Sequence, residues 1–317
     1  MTRIIGLEQI KRALDPARVI QALEEGFVDY SEGRVIVPPV GHLCFKEPPG
    51  DCHIKYGYVS GAHHFVIKVA TGFYRNPEAG LPSSNGLMLV FSRETGQPEA
   101  ILLDEGWLTD TRTAAAGAIA AKYLGPRKPK RIGIVGTGTQ ARMQLDWLRY
   151  VTDCREAMVW GRDGEKAELL RRDMKDSGYF IGIAENIEEL CARSDLIVTT
   201  TPSREPLIFA HHIRPGTHIT AVGADGSGKQ ELDSSVFGRA DICVVDSLTQ
   251  CREYGDSSRA LQDGVIPEER LIELGRLIRD SNLRRCDPGQ ITIADLTGVA
   301  VQDICIATLV LNSATAD

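Results

Sequence analysis

The run Arg131-Ile132-Gly133-Ile134-Val135-Gly136-Thr137-Gly138-Thr139-Gln140-Ala141 constrains this chain more than any other stretch. A short apolar segment breaks into a glycine turn and then into a helix-like segment, as a strand does when it feeds a dinucleotide-binding turn. Gly136 lets the backbone leave the strand sharply, and Gly138 leaves room for a pyrophosphate against bare backbone. Ala141 is the small third residue that lets helix and strand pack closely. Thr137, Thr139 and Gln140 stand between and after the glycines, and the helix that follows aims its free N-terminal amides at the phosphates. The same pattern also fits an ordinary turn, so its weight comes from what surrounds it.

What surrounds it is alternation. Ala157-Met158-Val159-Trp160 reads as a second strand and Gly164 to Met174 as a helix. Leu196 to Thr200, His218 to Val222, Ile242 to Val245 and Ile291 to Ala294 read as further strands. Short apolar runs separated by helical stretches predict a parallel sheet with crossover helices, an α/β fold of the Rossmann-type, doubly wound kind. Thr200, Thr201, Val222 and Gly223 lie at the carboxyl ends of two of these strands, where open sheets place ligands, and are expected at the cofactor.

The end of the second strand speaks to cofactor choice. An NAD site places an acidic residue roughly 20 residues after the glycines to grip the ribose hydroxyls. Here Gly161 stands at that position and Arg162, a permanently charged fork suited to phosphate, follows it. NADP(H) is therefore favoured, with NAD(H) the alternative if Asp163 takes the acidic role.

The chain has 317 residues, enough for two domains. A net charge of −7 and the lack of a basic stripe argue against a nucleic-acid surface. No apolar stretch reaches the roughly 18 residues of a membrane span, and Met1-Thr2-Arg3 does not open a secretion signal, so the expected compartment is the cytoplasm. Eight cysteines without a Cys-x-x-Cys pair or zinc spacing read as reduced thiols, and no metal site is expected.

Before the glycine turn, Leu7 to Gly33 reads as helical. Strand-like runs follow at Cys52 to Val59, His64 to Ala70, Leu87 to Phe91 and Ala100 to Leu103. This predicts a separate mixed α/β domain over residues 1–118, with a dinucleotide-binding domain over 119–298. An apolar helix from Val299 to Leu311 is expected to pack back on the first domain, which the segment 299–317 completes. Thr109 to Leu124 reads as an alanine-rich helix capped by Thr109 or Asp110.

Three polar places outside the turn call for an explanation. Lys68 interrupts the apolar run His64 to Ala70, on the face of His64 and Val66. A buried ammonium is costly, so it faces either solvent or a site. Arg112, placed in the first turn of the alanine-rich helix, opposes the helix dipole. It either grips an anion with its fork or pairs with a surface carboxylate. Asp225, flanked by Gly223 and Gly226 after a predicted strand, either projects into a crevice or makes a simple Asp-Gly turn.

Five segments resemble the ornithine cyclodeaminase and mu-crystallin family in order and spacing over nearly the whole chain. They are Lys68-Val69-Ala70 with Asn76 to Ser83, Leu108 to Ala115, Gly136 to Ala141, Gly223 to Leu232 and Asp295 to Asp303. The resemblance implies a homodimer joined through the sheet of the first, substrate-binding domain, and an active site in the cleft between the domains. It implies that Lys68 and Arg112 hold a substrate carboxylate and that Ser83 stands near the nicotinamide. Asp225 would handle the proton at the reacting centre. Members of this family commonly have a further arginine after a proline near residue 40, where this chain reads Val37-Pro38-Pro39-Val40-Gly41-His42. Lys55 is the candidate substitute.

The expected activity is NAD(P)H-dependent reduction of an imino acid or ketimine carboxylate, reversible as amino-acid dehydrogenation. The alternative is a cyclodeaminase-type lyase that releases ammonia with recycled NAD. A third reading is a crystallin-like NADPH-binding protein with little turnover.

Overall fold

The computed structural model describes residues 1–73 and 75–314. It separates into two compact units. The first comprises Met1–Arg112 together with the C-terminal segment that begins at Val299, and the second is Thr113–Gly298.

In the first unit the chain forms β1 (Arg3–Gly6), α1 (Leu7–Ala13), α2 (Pro16–Ser31), β2 (Val35–Ile36), β3 (Gly41–Phe45), β4 (Gly50–Val59), β5 (His64–Phe73), β6 (Ser84–Ser92) and β7 (Pro98–Leu103). The sheet runs β1-β7-β6-β5-β4-β2, with β3 also paired to β4; β1 joins β7 in parallel and the other pairs are antiparallel. The period-2 alternation of β5 buries Val66 and Lys68 on one face, while Phe65, Ile67 and Val69 lie partly exposed on the other.

The division between the units falls within α3 (Trp107–Leu124). The sequence predicts this helix from Thr109, but it starts two residues earlier. Glu105 and Gly106 turn through positive φ, and the Asp104 carboxylate accepts the Leu108 N–H at 2.9 Å. The aspartate that holds the helix start is therefore Asp104, not Asp110.

The second unit continues with β8 (Ile132–Val135), α4 (Thr139–Leu148), β9 (Glu156–Trp160), α5 (Gly164–Asp173), β10 (Phe180–Ile183), α6 (Ile187–Arg193), β11 (Leu196–Thr199), β12 (His218–Ala221), α7 (Ser234–Arg239), β13 (Ile242–Val245), α8 (Leu248–Cys251), α9 (Asp256–Gln262), β14 (Leu271–Glu273), α10 (Leu274–Arg279) and β15 (Thr292–Asp295). All eight strands are parallel, in the order β10-β9-β8-β11-β12-β15-β13-β14. Strand order reverses between β8 and β11, the switch point at which open sheets bind ligands. Apolar cores fill both faces, one around Ile134, Leu145 and Val198, the other around Ile219, Phe237 and Ile293. The edge strands β10 and β14 escape a sequence reading because Phe180-Ile181-Gly182-Ile183 is broken by glycine and Leu271-Ile272-Glu273 is only three residues long. Finally α11 (Ala300–Ser313) belongs to the first unit, where it packs on α2, β4 and β5.

Candidate active site

The first unit buries a cluster of charges. Lys68 on β5 and Asp303 on α11 are each about 2 % exposed, and Lys68 Nζ lies 2.9 Å from each Asp303 carboxylate oxygen. Arg112, also buried, places Nε 3.2 Å from Asp303 Oδ1 and donates from Nη1 to Gln302 Oε1 at 2.6 Å. It lies in the second turn of α3, not the first as the sequence suggested, because the helix starts at Trp107. The opposition to the helix dipole is correspondingly weaker there, and the buried carboxylate explains the cation instead. Lys55 stands opposite Lys68 in the β4–β5 register, and its charge is felt by both Lys68 and Asp303.

The electrostatics follow from burial. Desolvation pulls Lys68 down to about 7, against the attraction of Asp303 and with the repulsion of Arg112 and Lys55. Burial alone would raise Asp303, but Lys68, Arg112 and Lys55 together hold its carboxyl below the ordinary range. Asp104, buried nearby, is pushed up by desolvation. Ser83 is exposed just before β6. The register puts its neighbour Ser84 opposite Gly72, four residues along β5 from Lys68.

In the second unit the predicted cofactor residues gather at the carboxyl ends of β8, β9, β11 and β12. Gly136 has φ +126°, and a Cβ on it would sit 2.3 Å from the Thr200 hydroxyl. Its N–H donates to Trp160, while the Thr200 N–H and hydroxyl both donate to Val135. A Cβ on Gly161 would strike the Thr137 methyl at 2.5 Å. Gly138, the N-cap of α4, faces open space: a Cβ there meets nothing within 4 Å. A cleft of about 420 Å³ opens there, with Thr137, Gly138, Thr139, Arg142 and Lys166 among its walls. Gln140 and Ala141 lie in the first turn of α4, and Ala141 is fully buried against the sheet. The tight contacts at Gly136 and the open one at Gly138 fit a pyrophosphate on bare backbone.

Arg162 is exposed after β9. Asp163 serves as N-cap of α5, its Oδ1 accepting from the Glu165 and Lys166 N–H groups. Asp225 follows β12 on an exposed loop; its side chain is 55 % exposed and pairs with Lys229 Nζ at 2.6 Å. Val222 and Gly223 leave the same strand. The Val222 N–H donates to Thr199, and the Gly223 N–H to the buried Glu231.

Sequence reasoning gave no role to Asp303, Gln302 or Glu231. The signal for the first was present: a carboxylate inside Ala300-Val301-Gln302-Asp303-Ile304-Cys305-Ile306 is the one charge in a largely apolar segment, which needs a buried partner.

Comparison with known proteins gives a consistent answer. The family model described as ornithine cyclodeaminase/mu-crystallin matches residues 3–317. An uncharacterised cyclodeaminase of Sinorhizobium fredii is 42% identical over 282 residues, covering 88% of this chain and 85% of that protein. An archaeal alanine dehydrogenase, solved as a dimer with bound NAD, superposes with a TM-score of 0.89 at 35% identity, covering 99% of this chain and 96% of that one. The Delta(1)-pyrroline-2-carboxylate reductase of Thermococcus litoralis, solved with NADH and L-proline, gives a TM-score of 0.91 at 28% identity, covering 99% and 98%.

Proposed function

The chain belongs to the ornithine cyclodeaminase/mu-crystallin family, and on that premise we propose that it is a nicotinamide-dependent oxidoreductase. It reduces an imino acid or ketimine carboxylate at the carbon alpha to the carboxylate, and runs in reverse as an amino-acid dehydrogenase. The observation that carries this reading is the buried charge cluster. Lys68 and Arg112 are both buried and share the single carboxylate of Asp303, which leaves donors on both cations for a second negative charge. A substrate carboxylate supplies that charge. The L-proline complex of the Thermococcus litoralis enzyme supports the same substrate class.

The residues divide the work. Lys68 and Arg112 fix the carboxylate and so orient the alpha carbon, an effect worth several kcal/mol (about 7–11 at most). The Gly136–Ala141 turn holds the pyrophosphate. A bound nicotinamide supplies or accepts the hydride. Asp225 keeps the imine nitrogen protonated, which makes the adjacent carbon a better hydride acceptor; proton transfer of this kind is worth about 10²–10⁴ in rate. Changing Asp225 to Asn is expected to cut turnover while leaving dinucleotide binding intact.

NADP(H) is the preferred cofactor in this reading. Gly161 leaves no carboxylate at the ribose position, Asp163 is occupied in capping α5, and Arg162 is free to solvent beside them. NAD(H) is the second reading, favoured by the NAD and NADH in the two superposed structures. A homodimer joined through the first unit's sheet belongs to the same proposal. The sheet face opposite α11 carries Phe65 and Phe91 stacked at 4.8 Å and partly exposed, and the alanine dehydrogenase neighbour is a dimer.

The deciding experiment is a screen of NADPH and NADH oxidation against imino and keto acids with ammonium or methylamine. Stoichiometric oxidation with pyrroline-2-carboxylate, piperideine-2-carboxylate, or pyruvate plus ammonia is the expected result. Ammonia release from ornithine with only catalytic NAD would replace it with a cyclodeaminase, the reading that the 42% identical relative favours. Dinucleotide binding without turnover of any of these would leave a binding protein.

A further inference from the structure

Glu231 is completely buried in a stretch of backbone that runs beside residues 203–208. Leu207 and Ile208 donate to its carbonyl, Gln230 donates to Ser203 and Asp233 to Ile208. From this track the side chain reaches the ends of two neighbouring strands. Oε2 accepts from the Thr199 hydroxyl at 2.7 Å and the Gly223 N–H at 2.8 Å. Oε1 accepts from the Thr201 N–H at 2.5 Å and the Thr201 hydroxyl at 2.7 Å. One carboxylate therefore ties the segment leaving β11 to the segment leaving β12.

The rest of the local structure serves this contact. A Cβ on Gly223 would sit 2.2 Å from the Thr201 carbonyl and 2.5 Å from Glu231 Oε2, so only glycine lets the two segments close on the carboxylate. From behind, Asp256 Oδ1 accepts the N–H groups of Glu231 and Leu232 at 2.7 and 2.9 Å. Burial of this kind is expensive for a carboxyl, and desolvation raises Glu231 to about 7 in spite of its four donors.

Location gives the arrangement its meaning. A doubly wound sheet has two mononucleotide-binding halves. The half carrying β8 and β9 provides the glycine turn and the ribose position at Gly161, leaving β11 and β12 for the other end of the dinucleotide. We infer that Glu231 is the residue that positions the nicotinamide end, by fixing Thr201 and Gly223 in register. The inference rests on the dinucleotide reading of the second unit, so its test must separate the two.

The test compares wild-type protein with Glu231→Gln and Thr199→Val. Glu231→Gln keeps the shape but removes an acceptor oxygen, and Thr199→Val removes one donor. Binding of NADPH, NADH and their nicotinamide-free fragments, ADP-ribose and 2′-phospho-ADP-ribose, is measured by fluorescence or calorimetry, with melting temperature alongside. Glu231→Gln is expected to weaken the intact dinucleotides about tenfold or more, and Thr199→Val about threefold, because buried donors lose their acceptor or the carboxylate loses a donor. Affinity for the fragments should stay at the wild-type value.

Unchanged NADPH and NADH affinity in both variants overturns the inference. So does equal loss for fragments and intact dinucleotides, which marks Glu231 as general scaffolding. If Glu231→Gln does not fold, Thr199→Val alone decides by the same criteria. If wild-type protein binds neither dinucleotide nor fragment, the dinucleotide reading itself is overturned, and this inference with it.

Discussion

Lys68 and Asp303 meet at 2.9 Å in the interior of the first unit although 235 residues separate them in sequence. The carboxylate is the counter-ion to a cation on β5 and another on α3, so removing it leaves like charges buried side by side. Asp303→Asn is expected to cost about 3–5 kcal/mol of unfolding free energy, the usual result of stripping a partner from a buried ion pair. Denaturant unfolding measures this, and a loss below about 1 kcal/mol would show that the cluster is already solvated.

The depressed Lys68 gives a pH signature. Between about 7 and its ordinary 10.5 the unfolded chain holds a proton that the folded chain does not. Stability therefore rises with pH through that window, and the cost of a charged buried lysine is fully present below it. Substrate binding runs the other way, since a carboxylate ligand needs the charged form. KM for the imino acid should climb as pH rises above about 7, whereas Lys68→Met should show a high KM that is flat with pH. A wild-type KM that does not change between pH 6 and 9 would remove Lys68 from carboxylate binding.

Arg112→Lys keeps the charge but loses the fork that spans Asp303 and Gln302. The expected outcome is a KM for the carboxylate substrate raised about tenfold or more, with dinucleotide Kd unchanged. An equal change in both constants would mean that the variant disturbs the fold rather than the grip.

Arg162→Glu tests the cofactor preference. NADPH affinity should fall about tenfold or more relative to NADH, because a carboxylate beside the ribose repels a 2′-phosphate. Equal weakening of both dinucleotides would reassign Arg162 to a solvent-facing turn.

Asp256 carries a buried oxygen, Oδ2, without a hydrogen-bond partner, and burial, with the nearby Asp295 and Glu231, drives its carboxyl well above the usual range. A raised folded pKa means that its stabilising contribution is complete below the ordinary carboxyl pKa and is lost as pH rises through the folded value. Asp256→Asn keeps the acceptor for Glu231 and Leu232 but cannot ionise. Its melting temperature should match wild type only below the ordinary carboxyl pKa of 3.8 and exceed it increasingly from pH 5 to pH 8. A variant less stable than wild type at pH 8 would show that the ionised carboxylate is needed there.

The parts that were legible in the sequence share one property: local spacing alone specifies them. The glycine turn and the alternation of strands with helices need no distant partner, and Lys68 is conspicuous because strand alternation allows it only solvent or a site. What stayed hidden depends on contacts far along the chain. The start of α3 rests on a side-chain cap from Asp104 and a left-handed turn at Glu105 and Gly106, which spacing does not distinguish from a loop. Glu231 looks like a solvated charge after an Asp-Gly turn until the Ile208–Leu232 bridge turns it inward. The sequence shows that Lys68, Arg112 and Asp303 each call for a partner, but not that they are one another's.

Vectorial synthesis adds a consequence. On the ribosome, Arg112 emerges 190 residues ahead of Gln302, and Lys68 waits longer still for Asp303. The contiguous stretch Thr113–Gly298 has all its strands in hand before α11 is made. The first unit is thus begun before the second and completed after it, with Lys68 and Arg112 made long before the Asp303 carboxylate that pairs with both.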